Sequence, residues 1–294
     1  MKESMFFGVC TALVTPFLNA NVNYPMMEQL LKKQISAGVS AVVLAGTTGE
    51  ASTLSDSEKI ELFRRGKQYV GNSCGIIAGT GSNSTQHAIQ LSVAAQEVGA
   101  DALLIVTPYY NKATPDGLYA HYLSIAQSVD LPIILYNVPS RTGVDIPISV
   151  YQRLCSIPNI IGVKEACGDI TKITKILAAC PNFHVWSGND DMIVPTVALG
   201  GCGVISVLSN LYPEETVIMV NAARAGDYKT AAEMQRQMQP LVELLFCEVN
   251  PIPVKSAMKL LGYDCGSCRL PLTDLSSMNQ KRLEVYLCKR APVS

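Results

Sequence analysis

A lysine at the end of an apolar run is out of place for packing reasons. Residues 160 to 166 read "IIGVKEA", where Ile160, Ile161 and Val163 have the pattern of a strand covered on both faces and Lys164 follows them. Such a lysine has two readings. Once its amine has lost a proton it is a nucleophile for a carbonyl, and surroundings poor in water favour the neutral form of an amine. The resulting imine withdraws electrons from the neighbouring carbon, and a tyrosine can relay the protons that this chemistry requires. Alternatively, the stem packs on the strand while the head reaches solvent at the rim. The strand pattern alone leaves both open. Because side chains alternate along a strand, Ile160, Gly162 and Lys164 are expected on one face, with Val163 and Glu165 on the other. By the same period Tyr136 shares a face with Ile134 on the strand before, so phenol and amine would converge if both face inward.

Other polar residues sit at comparable places. "GTTGE" carries Thr47, Thr48 and Glu50, "TPYYN" carries Tyr109 and Tyr110, and "YNVPSRTG" carries Tyr136 and Arg141. Each has a plainer reading. "GTTGE" reads as a tight turn and cap before the next helix, and the tyrosine pair as surface or interface residues. Arg141 is either a carboxylate clamp or a solvated loop charge, and only the clamp needs the guanidinium fork. "GNDD" at 188 to 191 offers two carboxylates but reads more simply as a helix cap. His87, His121 and His184 form no H-E-x-x-H arrangement, and Cys265-x-x-Cys268 lacks a second pair at zinc-finger spacing, so no metal site is expected. Neither a P-loop nor a dinucleotide fingerprint follows a strand, so no cofactor is expected.

The elements that must position these residues repeat along the chain. Short β-branched runs begin near Gly8, Ser40, Cys74, Ala100, Leu131, Asn159, Phe183 and Gly203, with helical stretches between them. Alternating strands and helices predict a parallel sheet, and eight such units are the number that closes a (β/α)8 barrel. A doubly wound sheet is the competing architecture, since its strands look the same locally. Ser55 followed by Glu58 has capping-box spacing. Beyond the eighth run the chain reads as helix. "DYKTAAEMQRQMQPLVELLF" places Tyr228, Ala231, Ala232, Met238, Leu241 and Leu245 near one face, with a kink expected at Pro240. We divide the chain into a barrel at 1–225 and a C-terminal helical region at 226–294.

Composition narrows the partners. Charged residues are 16% of 294, the net charge is −1 and no run of like charges occurs, which excludes a nucleic-acid footprint and a polybasic membrane patch. Ten cysteines scattered from Cys10 to Cys288 are expected to be free thiols in a cytoplasm. "MFFGVCTALVTPF" is read as the first strand rather than a signal core, since Glu3 weakens the positive flank. No apolar run approaches the roughly 18 residues of a membrane helix.

Taken in order, "GTTGE", "TPYYN", "YNVPSRTG", "GVKEA" and "NPIPVK", with "TALVTPF" near the start and "RLPLT" near the end, resemble the 4-hydroxy-tetrahydrodipicolinate synthase family. The resemblance implies a pyruvate-dependent class I aldolase, a (β/α)8 TIM barrel with a C-terminal helical region. It implies that Lys164 forms the Schiff base with pyruvate, that Tyr136 is its proton donor and acceptor, and that Thr47 links Tyr136 to Tyr110 reaching across a dimer interface. By the same resemblance Thr48 holds the pyruvate carboxylate and Arg141 that of L-aspartate 4-semialdehyde, while Gly188 and the carbonyl of Ile205 line the pyruvate pocket. A cytoplasmic homotetramer, built as a dimer of dimers and serving lysine and diaminopimelate biosynthesis, is implied as well.

Sister aldolases acting on N-acetylneuraminate or keto-deoxy sugars share the lysine and tyrosine, and a non-catalytic keto-acid-binding barrel is a further alternative. Arg141 and the paired threonines favour the synthase. One departure bears on regulation. Lysine-inhibited members use two histidines and a glutamate where this chain has Asp56, Lys59 and His87, although Tyr109 and Asn83 are kept. A cation at 59 and no carboxylate at 87 disfavour a cationic ligand, so feedback by lysine is expected to be weak or absent.

Overall fold

The computed structural model describes residues 6–290. Eight parallel strands close into a barrel: β1 (Gly8–Ala12), β2 (Ala41–Leu44), β3 (Gly75–Gly79), β4 (Ala102–Val106), β5 (Ile133–Asn137), β6 (Ile160–Glu165), β7 (His184–Ser187) and β8 (Gly203–Ser206). Each pairs with its neighbours in chain order, and β8 returns to β1. All eight expected runs are therefore strands, and closure excludes the doubly wound alternative. The amino-terminal flank with Glu3 lies outside the described residues, as do the outermost ends of the two predicted regions.

The strands are apolar throughout because both faces are covered. Ala41, Val43, Ile77, Leu104, Ile134, Tyr136, Trp186 and Ile205 fill the interior. Their alternating neighbours Val42, Leu44, Ile76, Leu103, Leu135 and Val163 pack outward, against helix residues such as Leu31 and Leu62. One expected face is wrong. Ile160 lies in the outer layer and Ile161 in the inner one, because the register of β6 on β5 slips between Ile133 and Ile134. The extra residue of this bulge reverses the alternation before Gly162 and leaves Lys164 facing inward.

Helices follow the strands, and their starts agree with local chemistry. Helix Asp56–Val70 begins at Ser55, whose hydroxyl accepts from the Glu58 amide while the Glu58 carboxylate accepts from the Ser55 amide. Helix Pro213–Arg224 closes the outer layer over Val9 and Val204. Three further helices, Tyr228–Leu245, Ile252–Leu260 and Ser277–Lys289, make the C-terminal region. The first is assigned as one helix through Pro240 and buries Ala231, Met238, Leu241 and Leu245. Tyr228, expected in that stripe, is exposed: it is the first residue of the helix and lies ahead of the packed face. All ten cysteines are unpaired. Among the described residues no helix is long and apolar enough to cross a membrane.

The C-terminal region returns to the carboxyl rim of the barrel and grips the loop after β2. Lys255 donates to Glu50 Oε1 at 2.9 Å and to the carbonyls of Thr15 and Ser267. The Arg269 amide donates to Glu50 Oε2, and the Arg269 guanidinium forks onto Glu58. Glu50 is buried at a left-handed φ of 56°, a conformation that costs a non-glycine residue about 1–2 kcal/mol and persists only where surroundings enforce it.

Candidate active site

Tyr136 and Lys164 occupy the same register position on β5 and β6, directly side by side. Both are buried, at 6% and 4% exposed, and Lys164 Nζ sits 4.4 Å from the centre of the Tyr136 ring. The phenol and the amine converge as the alternation predicts. On the other side Lys164 is in register with Trp186, which is fully buried and whose indole donates to the Phe6 carbonyl at 2.8 Å. Gly162 makes room for this wall, since a Cβ there would meet the His184 carbonyl oxygen at 2.2 Å and the Trp186 ring at 2.8 Å. The head of Lys164 does not snorkel to solvent.

Glu165 faces away. Its carboxylate accepts from Asn137 Nδ2, the Cys167 amide and the Tyr151 hydroxyl, so it is spent on anchoring β6 to its flanking helix. Burial first, and then the Glu165 carboxylate, push the Tyr151 phenol well above its ordinary range. Tyr151 is thereby a donor to Glu165 rather than a proton carrier.

A cavity of about 630 Å³ opens at this rim and brings together Thr47, Tyr109, Tyr136, Arg141 and Asn250. Arg141 is exposed, and its guanidinium donates to the Asn250 carbonyl at 3.3 Å. Thr48, unlike Thr47, does not line the cavity: it is 2% exposed, and its hydroxyl accepts from Asn250 Nδ2 at 2.9 Å. Lys164 is behind the Tyr136 ring rather than on the cavity surface. Ile205 is fully buried in the inner layer with Tyr136 and Trp186. Gly188 follows β7 and donates to the Glu165 carbonyl at 2.7 Å, and a Cβ there would meet Ala166 Cβ at 2.6 Å. Only glycine lets the loop after β7 lie so close to the one after β6. Tyr110 is apart from these: it is 91% exposed at a φ of 72° and does not line the cavity, although Tyr109 does.

Asp56, Lys59 and His87 line the same cavity. His87 Nε2 lies 2.9 Å from Asp56 Oδ2, and its Nδ1 lies 3.2 Å from Ser82 Oγ. Burial lowers the Lys59 ammonium below its usual range.

Two features differ from the sequence reading or escaped it. "GNDD" is not a cap: Asn189 makes no side-chain cap, and the buried Asp190 carboxylate instead accepts from the Val207 and Leu208 amides, tying the loop after β7 to the one after β8. Burial raises the Asp190 carboxyl above the usual carboxylate range. Asn250 and Lys255 escaped as functional candidates. "NPIPVK" holds just these two side chains with polar heads among apolar ones, but only folding shows that both reach the loop after β2.

A closed parallel barrel whose carboxyl rim buries a lysine against a tyrosine ring is the frame of a Schiff-base-forming lyase. The chain belongs to the dihydrodipicolinate synthetase family, whose model matches residues 5–290. It is 46% identical over 288 residues to the 4-hydroxy-tetrahydrodipicolinate synthase of Acetivibrio thermocellus, covering 98% of each chain. With the enzyme of that name from Thermoanaerobacter sp. it shares 45% over 287 residues, 97% of each. Among solved structures, dihydrodipicolinate synthase from Aquifex aeolicus superposes with a TM-score of 0.95 at 40% identity, covering 97% of this chain and 98% of that one. The chloride-inhibited dihydrodipicolinate synthase from Acinetobacter baumannii, complexed with pyruvate, does so with 0.94 at 42%, covering 96% and 98%.

Proposed function

We propose that this chain condenses pyruvate with L-aspartate 4-semialdehyde to 4-hydroxy-tetrahydrodipicolinate through an imine on Lys164. The observation that carries this reading is the buried, in-register pair of Tyr136 and Lys164 at the rim. The neutral amine adds to C2 of pyruvate and water leaves, giving the imine. Loss of a methyl proton converts it to an enamine, whose carbon bonds to the aldehyde carbon. The amino group of the second substrate then attacks the imine carbon, closing the ring and freeing Lys164.

Tyr136 is the group placed to carry protons in these steps, with its ring against the amine and its residue on the cavity surface. Thr48 would hold the pyruvate carboxylate, Arg141 that of the aldehyde substrate, and Gly188 with the Ile205 carbonyl would bound the pyruvate end. Thr47 would link Tyr136 to a Tyr110 supplied by a second copy. A phenol 91% exposed and held at a left-handed φ suits a residue that another copy covers. We assign a homotetramer made of two such dimers, which sedimentation would distinguish from the monomer described for one solved relative. A cytoplasmic setting fits ten unpaired thiols.

The test is trapping. Incubation with pyruvate, borohydride reduction and digestion should give a pyruvate-dependent mass adduct on Lys164 and none in Lys164→Ala. A coupled assay should then show turnover with aspartate semialdehyde and not cleavage of N-acetylneuraminate. An unmodified Lys164 in active protein would overturn the mechanism, and preference for the sugar acid would overturn the substrate.

A further inference from the structure

Asn250 is where the C-terminal region meets both residues proposed to hold carboxylates. It is 5% exposed and lines the rim cavity. Its side-chain amide donates to Thr48 Oγ1 at 2.9 Å, across 202 residues of chain, and its backbone carbonyl accepts from Arg141 at 3.3 Å. Its own Oδ1 has no partner among the described residues. A buried amide oxygen left unpaired is a cost that an apolar side chain of similar shape would avoid. The amide is therefore better explained by what its N–H does.

A hydroxyl has one proton to give and can accept as well. Because Thr48 Oγ1 accepts from Asn250, its proton is not spent there, and it donates to none of the described residues. We propose that Asn250 is a positioning residue for the pyruvate carboxylate: its amide fixes the Thr48 hydroxyl as a donor, while its backbone carbonyl separately steadies the Arg141 fork. This role rests on the reading of Thr48 and Arg141 as carboxylate ligands. The two functions are separable, since changing the side chain removes the first and leaves the second.

Steady-state kinetics of Asn250→Ala, Asn250→Asp, Thr48→Val and the Asn250→Ala/Thr48→Val pair test it, with melting temperatures recorded for each. Asn250→Ala should raise the pyruvate KM roughly tenfold, with kcat and the aldehyde KM within about threefold. Asn250→Asp keeps the shape but can only accept when ionised, so it draws the Thr48 proton to itself and sets a negative charge near a substrate carboxylate. Its pyruvate KM should exceed that of Asn250→Ala. In the Thr48→Val background Asn250→Ala should add nothing to the pyruvate KM.

A merely structural asparagine gives the opposite pattern: Asn250→Asp close to wild type, or effects of Asn250→Ala that persist undiminished without the Thr48 hydroxyl, overturn the role. Thr48→Val with an unchanged pyruvate KM would instead overturn the carboxylate reading of Thr48 itself. A raised KM in Thr48→Val beside a silent Asn250→Ala would sink only the positioning role. If Asn250→Asp fails to fold, the alanine variant and the cycle with Thr48→Val still decide.

Discussion

Replacing Lys255 by methionine should destabilise the protein by about 3–5 kcal/mol, the cost of removing one partner from a buried ion pair. The size follows from the surroundings. Lys255 Nζ and Glu50 Oε1 are 2.9 Å apart, and their side chains are 3% and 1% exposed, so water cannot replace the lost donor. Methionine fills most of the volume but leaves Glu50 Oε1 and the Thr15 and Ser267 carbonyls without the ammonium, while Glu50 Oε2 keeps the Arg269 amide. Against a total stability of roughly 5–15 kcal/mol this is a large fraction. It should lower the melting temperature on the order of 10 °C. The double variant Lys255→Met/Glu50→Gln should recover part of the loss, because no buried charge is then stranded, and the cycle should show a coupling above about 1 kcal/mol. Urea titrations of the four proteins at neutral pH measure this directly. The pyruvate KM should rise in the single variant as well, since Glu50 closes the turn that carries Thr47 and Thr48. A Lys255→Met protein melting within about 2 °C of wild type, or a strictly additive cycle, would refute the view that this pair braces the loop.

Tyr136→Phe should lower kcat by about 10²- to 10⁴-fold, the usual worth of a positioned acid or base, while the Lys164 adduct can still be trapped slowly; a loss under about tenfold in stopped-flow or steady-state assays would remove the phenol from the mechanism. His121 is held neutral by burial, its imidazolium displaced from an ordinary value near 6.5 to about 4. The unfolded chain therefore takes up the proton first, so stability is intact above about pH 6.5 and falls as pH drops toward 4, by about 3 kcal/mol in all. His121→Gln should flatten that slope in urea midpoints measured at pH 7 and pH 5, and an unchanged slope would contradict it. Millimolar L-lysine should leave the rate nearly unchanged, given Lys59 and the His87–Asp56 pair in the cavity lining; half-inhibition at micromolar lysine would show that expectation to be wrong.

The barrel was legible because each strand is a self-contained signal: a β-branched run between turn residues, repeated eight times. Lys164 stood out for the same reason, as a charge in a pattern that excludes charge. The reversal at Ile160 was not legible, since a bulge depends on how β6 meets β5 and leaves no mark in "IIGVKEA". "GNDD" has the composition of a cap, whereas the partners of Asp190, Val207 and Leu208, lie on the next loop. Asn250 and Lys255 escaped because their partners lie more than 200 residues away, at Thr48 and Glu50. Local pattern reports which face a residue takes; it does not report which distant segment arrives to meet it.

That distance has a consequence for how the enzyme comes into being. The turn carrying Thr47 and Thr48 is translated more than 200 residues ahead of its braces Asn250, Lys255 and Arg269. A nascent chain with all eight strands extruded still lacks the contacts that brace the loop after β2. The brace on that loop thus waits for Asn250, Lys255 and Arg269 to be translated, and chains stopped short of them would carry the eight strands without it.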